Sequence, residues 1–150
     1  MAVFLSTFTN KVDRKGRVSV PASFRAALAP NNVKGIVAWR APKLAAIEAC
    51  GAERAADLSR RIDLLPEMSD ERDALSTILG DMREIDFDPE GRIVLPGELA
   101  RHAGLAGTAV FVGHGPTFRI WEPENFRKHQ DEMRARIRER GLTVPPGGTS

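Results

Sequence analysis

Cysteine, secretory features and long apolar runs are scarce in this sequence. Cys50 is its single cysteine, which excludes an internal disulfide bond and fits a reducing cytosol. Residues 1–7 lack a basic stretch followed by a long apolar core, so we expect no signal peptide. No run approaches the roughly 18 apolar residues that a transmembrane helix needs. We therefore predict a cytoplasmic protein with no membrane span.

Motifs of catalysis and nucleotide binding are also missing. The sequence has no Gly-x-Ser-x-Gly nucleophile motif, no Walker loop and no Rossmann glycine pattern. His102, His114 and His129 are far apart in sequence and lack a cysteine or carboxylate at metal-ligand spacing, so we predict no metal and no other cofactor. Cys50 has no basic neighbour and is expected to be a small buried side chain. These absences argue against an enzyme.

The charges that are present are distributed unevenly along the chain. Its 150 residues are enough for one compact unit, and the net charge is only +2. Residues 1–43 hold eight basic residues and one acid, whereas residues 44–107 hold seven arginines and fourteen acids. A basic N-terminal third on a nearly neutral protein predicts a focused anion-binding site. The alternative is that these charges only keep the protein soluble.

An internal repeat organises the sequence. Residues 13–21 (DRKGRVSVP) and residues 88–96 (DPEGRIVLP) follow the same order of residue types, 75 positions apart. Downstream, residues 42–48 correspond to residues 116–122 with a shift of 74. The match is therefore not confined to one short motif. Two copies of a unit of about 45 residues are present.

The repeated Asp-x-x-Gly-Arg motif predicts a tight turn in each copy. The aspartate can accept hydrogen bonds from the backbone that follows it, and the glycine can take a positive φ. Because aspartate and arginine recur together, an Asp–Arg pair is expected to brace each turn. The structural residues of the two turns are accordingly Asp13, Gly16, Asp88, Gly91 and Arg92.

The tips of the two turns differ in charge. Arg14 and Lys15 occupy the first tip, where a fold has no internal need for cations. Such side chains can lie against phosphates, and an arginine can bond to a guanine edge. Pro89 and Glu90 replace them in the second tip, which would repel phosphate. The first turn is therefore the predicted nucleic-acid contact, and Arg92 is expected to be structural or to lie at a subunit contact.

Each repeat is predicted to be strand, turn, strand, short helix, strand, turn and strand. In the first repeat residues 3–12 and 18–20 are expected to form a hairpin, and Phe24 and Leu28 share one face of the following helix. The spacing of apolar residues in residues 52–82 predicts two helices, divided at Pro66 and capped at Ser69. A last helix is expected from Pro123 to about residue 140, with Gly141 in the position after the helix that favours glycine, before a disordered tail over residues 143–150.

These motifs resemble the MraZ family of bacterial transcriptional regulators. The resemblance rests on the two turns, on Val20, Pro21 and Arg25, and on residues 99–105 (LARHAGL) and 118–122 (FRIWE), and it covers residues 1 to about 130. It implies an α+β fold of two pseudo-symmetric, AbrB-like swapped-hairpin half-barrels. The corresponding divisions are a first repeat (1–50), a helical connector (51–80), a second repeat (81–124), and a C-terminal helix with its tail (125–150).

The resemblance also implies a function. MraZ proteins form ring-shaped homo-oligomers on short direct repeats in the promoter of the division and cell-wall gene cluster, which includes their own gene. They generally act as repressors and associate with the nucleoid. The family also assigns Arg17 to the DNA-binding loop, so the DNA-binding candidates are Lys11, Arg14, Lys15 and Arg17. The alternative is an AbrB-like protein-interaction module of antitoxin type, whose basic turn binds an acidic protein instead of specific DNA.

Overall fold

A computed structural model describes residues 2–31 and 33–148 of the chain. Within them the fold is α+β, with eight strands and five α-helices. The strands are β1 (Thr7–Lys11), β2 (Arg17–Ser19), β3 (Gly35–Arg40), β4 (Ala46–Cys50), β5 (Arg83–Asp86), β6 (Arg92–Val94), β7 (Thr108–Gly113) and β8 (Phe118–Trp121). The helices are α1 (Ala22–Leu28), α2 (Ala52–Asp63), α3 (Asp70–Asp81), α4 (Gly97–Ala103) and α5 (Pro123–Arg140).

Strands of the two repeats interleave in one antiparallel sheet. Its order is β1-β7-β8-β4-β3-β5, and β2 pairs with β6 in a separate two-stranded ribbon. The first strand of each repeat pairs with the third strand of the other, with Thr7 opposite Val112 and Gly35 opposite Asp86. β4 pairs with β8 and joins the two halves. The core is consequently shared between the repeats.

The predicted hairpin between residues 3–12 and 18–20 is wrong. β1 and β2 share only an isolated bridge between Val12 and Val18, because β1 pairs with β7 and β2 pairs with β6. Pairing β2 with β6 places the side chains of Val18 and Ile93 opposite each other, and both are buried in the core. A turn motif specifies the local backbone, whereas the burial of apolar side chains selects the partner strand.

The main core lies between one face of the sheet, the β2–β6 ribbon, and helices α1 and α4. Alternate residues of the strands point into it, as the period of a strand requires. Phe24 and Leu28 of α1 are buried there, which confirms the predicted inner face of this helix. Phe24 is surrounded by four other aromatic rings, those of Phe4, Phe8, Phe111 and Phe118.

Helices α2, α3 and α5 pack on the opposite face of the sheet. Trp121 contacts Phe126 of α5, and Trp39 lies under the partly buried side chains of α2 and α3. None of these three helices buries a residue completely, so they are peripheral additions to the core. Cys50 is fully buried beside Trp39, as predicted, and burial raises the pKa of its thiol to about 12. Such a thiol is not reactive at neutral pH.

Two predicted helix ends are confirmed. The Ser69 hydroxyl accepts a hydrogen bond of 3.1 Å from the Arg72 amide at the start of α3. Gly141 follows α5 with a φ of +59°, in the left-handed region that glycine favours. Residues 142–148 contain no helix or strand, and the last two residues of the predicted tail lie outside the described part of the chain. No helix in the described ranges is long and apolar enough to cross a membrane.

Candidate nucleic-acid interface

The β2–β6 ribbon has one buried face and one outward face. Val18 and Ile93 point into the core, so the alternation of a strand turns their neighbours outward. Arg17 lies opposite Val94, and Ser19 lies opposite Arg92. Because the strands are antiparallel, the turns that precede them lie at opposite ends of the ribbon. The repeated motifs thus form one continuous outward surface with a turn at each end.

The first turn is held by a single carboxylate. Asp13 Oδ1 accepts hydrogen bonds of 2.9 Å from the amides of Lys15 and Arg17, and Asp13 Oδ2 accepts one of 2.7 Å from Arg17 Nε. Gly16 has a φ of +79°, as predicted. Hydrogen bonds from Arg17, its backbone amide first, lower the pKa of Asp13 below its ordinary value. The charged carboxylate therefore orders this turn at neutral pH, and the contribution is lost as the pH falls through the lowered pKa.

The second turn repeats this geometry. Asp88 Oδ1 accepts 2.9 Å hydrogen bonds from the amides of Glu90 and Arg92, and its Oδ2 lies 2.8 Å from Arg92 Nε. Gly91 has a φ of +78°. The same contacts are present in both turns. The aspartate and the arginine therefore determine the shared backbone conformation, and the difference in charge between the tips comes from the other residues.

The side chains at the tips differ in charge and in their partners. Arg14 and Lys15 are exposed, and neither side chain forms an ion pair or hydrogen bond with any residue that the structure describes. At the other tip, Glu90 Oε2 lies 3.5 Å from Arg92 Nη2. Lys11 is also exposed, at the end of β1 that leads into the first turn. Arg14, Lys15 and Arg17 therefore lie at one end of the ribbon, and Lys11 lies on the adjacent strand β1.

Sequence reasoning missed two features of this surface. Val94 is 54% exposed directly opposite Arg17, so the ribbon presents an apolar side chain beside the cations. Asn10 Nδ2 donates a 2.7 Å hydrogen bond to the Ser19 carbonyl and ties β1 to the ribbon. The exposure of Val94 could have been predicted, because the residues of a strand alternate in direction and its neighbours Ile93 and Leu95 point inward. Nothing in the sequence indicated the second.

Arg25 makes the two turns unequal. Its guanidinium lies against Gly91, where an added Cβ would be 2.6 Å from Arg25 Cζ, and its Nε donates to the Val20 carbonyl at 3.1 Å. The equivalent residue of the second repeat, 75 positions later, is Ala100, which cannot cover Gly16 in the same way. The second turn is thus packed against the protein, whereas the first remains open.

This difference predicts unequal costs for two matched substitutions. Gly16→Ala should destabilise the protein by about 1–2 kcal/mol, the cost of a left-handed backbone at a non-glycine residue. Gly91→Ala should cost about 1 kcal/mol more, because Arg25 must also move and give up its hydrogen bond to Val20. Urea unfolding of the two variants measures both values. Equal reductions in stability would contradict the proposed packing role of Arg25.

The histidines do not form a metal site. His102 Nε2 lies 2.8 Å from the Leu44 carbonyl, and His129 stacks on Trp121 with a ring separation of 4.9 Å. Burial lowers the pKa of His114 to about 4, so its ring is neutral at physiological pH. Among the residues described, no group of three or more histidine, cysteine, aspartate or glutamate side chains could hold a metal ion.

Comparisons with known proteins agree with the resemblance noted in the sequence. The family model described as "MraZ protein, putative antitoxin-like" matches residues 78–142. A protein of Rickettsia canadensis (strain McKiel) named "Transcriptional regulator MraZ" is 43% identical over 145 residues, which cover 96% of this chain and 97% of the relative. A protein of the same name from Rickettsia akari (strain Hartford) is 42% identical with the same coverage. The chain belongs to the MraZ family, whose members are transcriptional regulators and not enzymes.

Proposed function

We propose that this regulator binds double-stranded DNA in a sequence-specific manner through the turn at residues 13–17 and the adjoining end of the β2–β6 ribbon, where Arg17 lies opposite Val94. The observation that carries the proposal is the contrast between two turns of the same geometry. The first presents the unpaired cations Arg14 and Lys15, and the second presents Pro89 and Glu90. Only the first tip attracts the phosphate backbone.

Each DNA-binding candidate has a distinct role in this proposal. Arg14, Lys15 and the neighbouring Lys11 contact phosphates, which position the protein on the duplex. Arg17 is held at Nε by Asp13, which leaves its terminal nitrogens to bond to a guanine edge. Val94 lies beside it and suits a thymine methyl group. A two-stranded ribbon is narrow enough to enter the major groove, so base contacts from this surface are geometrically feasible.

The targets follow from membership of the family. We propose that the protein binds short direct repeats in the promoter of the division and cell-wall gene cluster, including its own gene, and acts there as a cytoplasmic, nucleoid-associated repressor. We also assign the interleaved strands to two AbrB-like swapped-hairpin half-barrels. The exchange of first strands between repeats, with β1 on β7 and β5 on β3, supports this assignment.

Binding to repeated sites suits a ring-shaped homo-oligomer. β1 and β5 form the two edges of the six-stranded sheet, and edges of this kind are usually covered or paired. A head-to-tail contact between unlike surfaces closes into a ring when its rotation allows. The basic turns would then recur around one rim, and several weak contacts would act together through a high effective concentration.

The second candidate function is a protein-interaction module of antitoxin type. The words "antitoxin-like" in the description of the matching family model favour it. In that case the basic turn would bind an acidic protein surface, and binding to DNA would not depend on its sequence. Competition with a scrambled duplex separates the two functions, because only a sequence-specific regulator discriminates against it.

The deciding experiment measures binding to the DNA upstream of the protein's own gene. A labelled duplex with direct repeats about 10 base pairs apart should bind tightly, since such repeats lie on one side of the helix. Insertion of roughly half a helical turn, about five base pairs, should lower the affinity at least tenfold by moving the repeats to opposite sides. Equal affinity for the original, inserted and scrambled duplexes, measured at one salt concentration, would refute the proposal.

A further inference from the structure

Two exposed segments combine an excess of unpaired charges of one sign with exposed apolar side chains. The acidic tip joins α2 to α3 and comprises residues 64–73. Its apolar members, Leu64 and Met68, are 85% and 101% exposed. Its acids Glu67, Asp70, Glu71 and Asp73 are exposed, and their side chains form no ion pair within the described ranges, whereas its one cation, Arg72, pairs with Asp63. The tip is therefore an acidic surface with two bare apolar side chains.

The basic tail comprises residues 134–144, the last turns of α5 and the segment that follows. It contains four arginines, Arg134, Arg136, Arg138 and Arg140, and one acid, Glu139. None of these arginines forms an ion pair within the described residues, whereas ten other arginines of the chain do. Ile137, Leu142 and Val144 are 48%, 49% and 88% exposed. The tail, like the tip, exposes apolar side chains beside unpaired charges, but its net charge has the opposite sign.

The helix dipole explains part of this pattern. Acids suit the start of α3 and arginines suit the end of α5, so charge alone implies no partner. The helix dipole does not explain the exposed apolar residues. Eight large apolar side chains are exposed in the described part of the chain, and five of them lie in these two segments. Apolar residues concentrated beside unpaired charges are typical of surfaces that another molecule covers.

Within one chain, the acidic tip and the basic tail form no ion pair with each other and share no apolar cluster. α2 and α3 pack over Trp39, whereas α5 packs over Trp121, in separate apolar clusters on the outer face of the sheet. No ion pair of the described residues joins the two segments. A second copy of the chain carries both complementary surfaces. Such a contact between unlike surfaces is head-to-tail and allows a ring to form.

We propose that the basic tail of one copy binds the acidic tip of the next copy and forms the contact that builds the oligomer. The inference rests on the assembly proposed above and specifies its interface. Arginines of the tail pair with acids of the tip, and Ile137 and Leu142 cover Leu64 and Met68. Because the ion pairs lie at a surface, the contact should weaken as the salt concentration rises.

A charge-exchange experiment tests this contact in the full-length chain. The tip variant carries Glu67→Lys and Glu71→Lys, and the tail variant carries Arg138→Glu and Arg140→Glu. Each variant alone opposes like charges, so its apparent dissociation constant for assembly should rise by roughly tenfold or more in sedimentation measurements. An equimolar mixture of the two should regain assembly, because every junction between unlike variants again joins opposite charges. This recovery distinguishes a specific contact from damage to the fold.

The controls separate the other outcomes. Lys43→Glu with Lys128→Glu removes two exposed cations outside the tail and should leave assembly unchanged, whereas Met68→Ser should weaken it without changing any charge. A monomeric parent protein would overturn both the proposed assembly and this contact. An intact oligomer in every variant, or no recovery on mixing, would overturn the contact alone. Reduced binding of the tail variant to a duplex with one repeat, with assembly unchanged, would instead identify the tail as a DNA contact.

Discussion

Arg14→Glu combined with Lys15→Glu should lower the affinity for the operator by at least about a hundredfold while leaving the fold intact. The two side chains are exposed and unpaired, so their replacement removes no interaction among the described residues. At the DNA surface the same change replaces two attractive charges by two repulsive ones. The salt dependence of binding should also decrease, by about 0.9 in the slope of log K against log salt for each phosphate that the variant no longer neutralises.

The second turn provides the matched control for this prediction. Glu90→Ala should change the affinity less than tenfold, because that tip lies outside the proposed contact. Arg92→Ala should lower the melting temperature by removing the partner of Asp88, with little direct effect on DNA. Fluorescence anisotropy titrations at several salt concentrations, together with thermal melting, measure both effects. A folded Arg14/Lys15 variant with unchanged affinity and slope would show that the protein binds DNA elsewhere.

Of the substitutions considered, Phe24→Ala should decrease the free energy of unfolding most, by about 3–5 kcal/mol, since it removes the central ring of the core. Phe24 is 1% exposed, and its ring centroid lies 4.9 Å from that of Phe118 and 5.3 Å from that of Phe4. Both of these rings and that of Phe111 belong to parts of the chain outside α1. The substitution should therefore loosen α1 from the sheet, and the melting temperature should fall by roughly 6–20 °C.

Phe126→Ala is the corresponding control on the other face of the sheet. Phe126 is only partly buried against Trp121, 6.3 Å away between ring centroids, so its removal should cost about 1–2 kcal/mol. Denaturant unfolding of the two variants gives both free energies. If Phe126→Ala proved as damaging as Phe24→Ala, the division into a main core and a peripheral face would be wrong.

The sequence by itself determined the features that depend on neighbouring residues. The Asp-x-x-Gly-Arg motif specified two turns with glycine at positive φ, since the short side chain of an aspartate reaches only the backbone that follows it closely. Apolar spacing and end signals located α3 and α5, with Ser69 and Gly141 at their ends. The comparison of repeats also exposed the opposite charge of the two tips, because the equivalent positions can be read side by side.

Only the tertiary structure decided which strands pair and what surrounds each turn. The sequence suggested that β2 would return along β1, yet β2 pairs with β6 from the other repeat. Likewise, Arg25 of the first repeat covers Gly91 of the second, and Leu64 and Ile137 remain exposed. Such arrangements join residues distant in sequence. They are selected by the joint burial of apolar surface, which no local pattern specifies.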